Sequence, residues 1–244
     1  MAMDHTVKSF DEQLNRLHNK IAEMSGLAEH QLAEAISALV HRDGERAAVV
    51  AGGDTRIDAL ENEVDHLAVL LIALRQPMGE DLRCVIAGLK NAAIIERIGD
   101  YAKNVAKRTG ALVEMPPMPP ATTVARLGNL AQAMIKDVLD AYLERDAEKA
   151  EMVRRRDAEV DALYTSIFRE LLTYMMEDPR NITACTHLLF IAKNIERIGD
   201  HATNIAENVI FLVDGKAPTD QRTKGDQSSY TVIAPVTAAE GSRP

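Results

Sequence analysis

The six residues Ile95-Glu96-Arg97-Ile98-Gly99-Asp100 recur as Ile195-Glu196-Arg197-Ile198-Gly199-Asp200, and Ala102, Asn104 and Ala106 recur as Ala202, Asn204 and Ala206. On a helix, residues four apart project from one face, so Glu96, Asp100 and Asn104 form one polar stripe, and Glu196, Asp200 and Asn204 another. Ile95, Ile98, Ala102 and Val105 fall on roughly the opposite side, so the stripe is expected to face away from the core. Each preceding segment adds an acid pair at the same spacing, Asp54 with Asp58 and Asp157 with Asp161. If neighbouring helices run antiparallel, four acids and one amide meet in each half. Carboxylates held this close repel, raise one another's pKa and gain from a bound cation. Oxygen-only ligands suit Mg²⁺, Mn²⁺, Ca²⁺ or iron more than a thiol-loving metal, and zinc also accepts carboxylates. These ten residues are the expected ligands of a divalent or ferric ion.

An acid pair on an outward helix face is ordinarily a solvated surface, and it is the duplication that gives the metal reading its weight. Gly99 and Gly199 interrupt helices at matching places, which calls for close approach of another helix or of a ligand. Arg97 and Arg197 are surface arginines by default. The halves differ beside the motif: Glu61 and Asp65 extend the acid face in the first, where Tyr164 and Phe168 stand in the second. Two sites of unequal affinity, or a single loaded one, follow from that difference. A carboxylate-bridged metalloenzyme, a dinuclear hydrolase for instance, is the alternative. Ferritin-like catalysts use Glu-x-x-His on two helices, and here only Glu63 and His66 have the spacing. His187 and His201 complete no nucleophile, base and orienter set, and no glycine loop cradles phosphate.

The elements that position these side chains are helices. Apolar residues recur at helical spacing from Val7 to about Arg42, including Leu14, Leu17, Ile21, Met24, Ala28, Leu32 and Ile36. Asp43 can cap a second helix carrying Ile57, Leu60, Val64, Leu67 and Leu71, which Gln76-Pro77 ends, and a third runs from about Glu80 to Val113. The prolines of Met115-Pro-Pro-Met-Pro-Pro120 cannot continue it. The plan then returns near Val124 to Glu144, Ala147 to Met176 and Ile182 to Val213. Asp43, Glu45, Asp58 and Leu60 match Asp146, Glu148, Asp161 and Leu163, at a slightly different separation from the later motif, so a small indel lies between. The expected fold is all-α, a tandem repeat of two three-helix antiparallel bundles with six long helices. The halves are residues 1–114 and 122–213, joined by a Pro-rich linker at 115–121 and followed by a flexible C-terminal tail at 214–244.

Of the 244 residues 46% are hydrophobic but only 4% aromatic, with no tryptophan, a balance that favours helices over sheets. A net charge of −9 argues against nucleic acid as the main partner. The longest apolar runs, Leu67 to Leu74 and Leu188 to Ala192, are far below the roughly 20 residues that span a bilayer, and the polar start lacks a signal-peptide core. Cytoplasmic residence without membrane insertion is expected, with Cys84 and Cys185 as reduced core thiols.

The doubled ERIGD with its following Ala-x-Asn, the segments DTRID and DAEVD, and the run MEDPRNITACTHLLFIAKNIERIGDHATNIAE resemble the PhoU family over about Phe10 to Val213. The resemblance implies two three-helix bundles, dimerisation, and E(D)xxxD motifs that bind metal on the bundle surface. It further implies a negative regulator of phosphate uptake and of the phosphate regulon rather than an enzyme. In that role the protein would link the phosphate ABC transporter to a phosphate-sensing membrane histidine kinase.

Overall fold

The computed structural model describes residues 2–53 and 55–218 together with 226, 228 and 231, with side chains from Phe10 onward. Every long element among them is helical: α1 (Ala2–His41), α2 (Gly44–Ala51), α3 (Thr55–Arg75), α4 (Glu80–Val113), α5 (Ala121–Glu144), α6 (Ala147–Glu177) and α7 (Ile182–Asp214). A 3₁₀ turn at Pro179–Asn181 leads into α7. Most of the expected tail lies outside the described residues, and so does Asp54.

The repeat extends to the turns. Arg42 and Arg145 end α1 and α5 with left-handed backbone, φ 51° and 56°. The next residue in each half caps the following helix: Asp43 accepts the amide of Arg46, and Asp146 that of Lys149, both at 2.9 Å. These bonds satisfy amides left open at a helix start. The halves then diverge. The second helix expected in the first half is two helices, because Gly52-Gly53 interrupts it and Gly53 takes φ 79°. In α6 the chain runs on unbroken.

Helix α4 packs on α1, α2, α3 and α7, while α7 packs on α4, α5 and α6, so these two form the centre of the molecule. They run antiparallel: Lys90 lies over Phe211, Asn208 donates to Asn91 at 2.8 Å, and Arg108 lies over Phe190. Midway, Tyr101 stacks on His201 with ring centres 5.5 Å apart. Those two positions correspond in the repeat, so a pseudo-twofold axis passes near them. The apolar periodicity of α1 is realised in full burial of Leu17, Ile21, Met24 and Leu32. One continuous apolar core joins all seven helices.

Candidate functional site

Gly99 and Gly199 explain how the acids of each half come together. A Cβ at Gly99 would stand 3.3 Å from Ile57 Cδ1, and one at Gly199 3.2 Å from Val160 Cγ1. Ile57 and Val160 are matching positions, each next to an acid of its half. The glycines therefore let the preceding helix approach the ERIGD helix closely, and this packing sets the two acid rows side by side.

In the first half a cleft of about 40 Å³ is lined by Gln31, Gly53, Asp58, Glu96, Asp100 and Lys103, among others. Asp58 and Asp65 are exposed, and Glu61 and Glu96 partly so. Burial, then Asp100, Glu61 and Asp58, hold the Glu96 carboxyl above its ordinary range, with Arg97 pulling the other way. Glu61 is raised by burial and by Asp65 and Asp58. Mutual repulsion thus operates across α3 and α4, and Glu61, outside the expected ligand set, belongs to the cluster. Lys103 reaches Asp100 only at 3.9 Å, with the Asp100 side chain 58% exposed. Asn104 lies a turn beyond, outside the residues lining the cleft.

The second half is built differently, and the expectation of an outward stripe fails there. Asp157 and Asp161 are 2% exposed and Glu196 5%, because they lie where α6 packs closely along α7 over Gly199. Asp200 is half-buried, and Asn204 is exposed. Lys193 Nζ lies 2.9 Å from Glu196 Oε1 and 3.3 Å from Asp226 Oδ2, and 5.0 Å from the centre of the Tyr164 ring. Burial raises the Glu196 pKa, against the pull of Lys193. Burial also opposes the Lys193 charge, yet Glu196 holds this ammonium above the ordinary lysine range. Sequence reasoning missed Lys193, whose signal was the pairing of Ala93 with a lysine inside an otherwise apolar run.

A hard cation fits the donor chemistry of the first cluster, where four carboxylates outnumber the two nearby cations, Lys103 and Arg97. Among the described residues no three His, Cys, Asp or Glu side chains already converge on one point. In the second cluster an ammonium stands against the central glutamate, and the donor set does not fit a metal. Elsewhere, Glu63 is tied to Lys20 and Arg56, so the one Glu-x-x-His pair is not poised as a metal ligand. Cys84 and Cys185 are buried free thiols raised by that burial. Among the described residues no helix is long and apolar enough to cross a membrane.

The PhoU domain family model matches this chain twice, at residues 21–109 and 124–209. A phosphate-specific transport system accessory protein PhoU homolog of Caulobacter vibrioides is 53% identical over 91% of this chain and 97% of its own length. The homolog of that name in Rhizobium meliloti is 50% identical over 94% and 97%. The crystal structure of PhoU from Pseudomonas aeruginosa superposes with a TM-score of 0.82 at 39% identity, covering 85% of this chain and all of that one. The phosphate transport system regulatory protein PhoU from Streptococcus pneumoniae does so at 0.74 and 26%, covering 86% and 99%.

Proposed function

The chain belongs to the PhoU family, and from that premise we propose that it is a regulatory adaptor that restrains phosphate uptake and the phosphate regulon. The observation that carries this reading is the full-length match, both halves included, to relatives named as accessory proteins of phosphate-specific transport and not as enzymes. The proposed partners are a phosphate ABC transporter and a phosphate-sensing histidine kinase, with a homodimer as the working form. The kinase link and the dimer rest on the family resemblance.

An adaptor needs apolar surface outside its core. Around the turn from α3 to α4, Val69, Leu74 and Met78 are exposed, Met78 by 83% and Leu74 by 69%. Apolar side chains gathered at one end of a helical hairpin are the kind of surface that partners cover. Asp58, Glu96 and Asp100, with Glu61 beside them, are proposed to hold a Mg²⁺, Mn²⁺, iron or Zn²⁺ ion. The ion would supply charge that relieves the repulsion and ties α3 to α4. The residues themselves bring the acid rows together over Gly99. The test is a deletion strain carrying a phosphate-starvation reporter, grown in excess phosphate. Reporter expression that stays high and falls on complementation is expected, and normal repression in the deletion strain would sink the assignment.

A further inference from the structure

The two halves treat the same acids in opposite ways. Position 93, beside Glu96, is alanine, and the matching position 193, beside Glu196, is lysine. Glu61 is likewise matched by Tyr164, whose ring lies under the Lys193 ammonium. One difference removes an acid and the other adds a fixed cation, and both act at one place. From the C-terminal side Asp226 gives the ammonium a second carboxylate. Ser228 holds that carboxylate through its amide at 2.8 Å and bonds Tyr164 through its side chain. Asp157, Asp161 and Asp200 each interact with other groups of the fold as well.

We infer that Lys193 is the resident cation of the second acid cluster, so that this half is closed to metal and any metal loads the first half alone. The statement about the first half rests on the metal reading above, and the statement about Lys193 does not. An ammonium at hydrogen-bond distance from a buried carboxylate fills the space a metal would take beside it, and two cations at that spacing in a buried site repel strongly. The remaining oxygen of Glu196, Oε2, is buried with no hydrogen-bond partner among the described residues. Together with Oε1, it is what a cation would gain once the ammonium is removed. Among the described residues no ammonium stands at ion-pair distance from Glu96 in the first half, since Lys103 engages the exposed Asp100 at 3.9 Å.

The test is equilibrium dialysis of the stripped full-length chain against Mn²⁺, with elemental analysis and circular dichroism to confirm folding. Glu196→Gln is expected to leave the metal content of the chain unchanged. In a background silenced by Asp58→Asn and Asp100→Asn, Lys193→Ala is expected to gain about one equivalent, which adding Glu196→Gln abolishes. Lys193→Gln, which keeps length without charge, replaces Lys193→Ala if that variant fails to fold. The reciprocal Ala93→Lys is expected to abolish loading of the first half. The inference is overturned if Glu196→Gln lowers the metal content of the otherwise unaltered chain. It is equally overturned if the folded lysine variants take up no Mn²⁺ in the silenced background. A wild type that binds no metal, beside a silenced Lys193→Ala protein that binds one, would remove the metal reading of the first half and leave the role of Lys193 standing.

Discussion

Glu61 faces Asp58 three residues before it and Asp65 four residues after it on α3, and both raise its pKa. Like charges at these spacings cost about 0.2–0.5 kcal/mol per pair. Glu61→Gln removes two such repulsions, so in chelator it should stabilise the chain by about 0.5–1 kcal/mol. With saturating Mn²⁺ the gain should shrink or reverse, because the bound ion already offsets the repulsion. Denaturant melts in both conditions check this, and an unchanged metal-free stability would show that the acids are independently solvated. A different residue reports on pH. His18 packs edge-on to Tyr142, and burial, then Arg145, lower its pKa. As pH falls through 6.5 the unfolded chain takes up this proton first, so the stability present above that pH is lost as pH drops toward the folded value. His18→Phe should flatten the slope of stability as pH falls below 6.5, read by melts at each pH. At this scale the acids of the site were legible, because i,i+4 spacing is a property of sequence alone. The ammonium of Lys193 was not, because one lysine in an apolar run reads as a solvated side chain until the helix covering it is known.

At the scale of elements, the capped turns carry most of the repeat. Asp43 starts the eight-residue α2, and Asp146 starts the 31-residue α6. Losing an N-cap of this kind costs about 1 kcal/mol. The two substitutions to alanine should spend that cost differently. Asp146→Ala should lower global stability, because α6 is continuous and packed along α7. Asp43→Ala should mainly speed amide exchange within α2, a single short segment freed by the break at Gly52-Gly53. Hydrogen exchange resolved by segment separates these outcomes, and equal exchange across both helices would refute the difference. The caps and the proline linker were readable because Asp before an apolar run and adjacent prolines act locally. The break was less so, since Val50, Ile57 and Leu60 keep helical spacing across Gly52-Gly53, where Gly53 adopts φ 79°. That break shortens the first-half helix beside Glu96, and Asp58 is left exposed there while its counterpart Asp161 is buried.

At the scale of the molecule, periodicity tells which positions are buried but not which helix buries them. The close packing of α6 along α7, which overturns the outward stripe in the second half, is therefore a tertiary fact, and so is the central pairing of α4 with α7. The same pairing makes the halves interdependent. Asn91 is fully buried and accepts from Asn208 of the other half, while the Arg83 guanidinium reaches the Leu212 carbonyl at 3.3 Å. Leu188 of α7 also lines a pocket with Leu39 and Leu112 of the first half. Helix α1 packs on α5 as well, so separating the halves would bare apolar surface along four helices and strand Asn91 at its edge. A protease site placed between Met115 and Pro120, once cut, should leave both fragments associated. They should elute as one species and melt in a single cooperative transition at a temperature slightly below that of the intact chain, since cutting the linker removes only the entropic advantage of tethering. Fragments that separate on gel filtration, each with its own cooperative melt, would show that every three-helix half closes its own core and that the α4 to α7 contact is an adjustable joint.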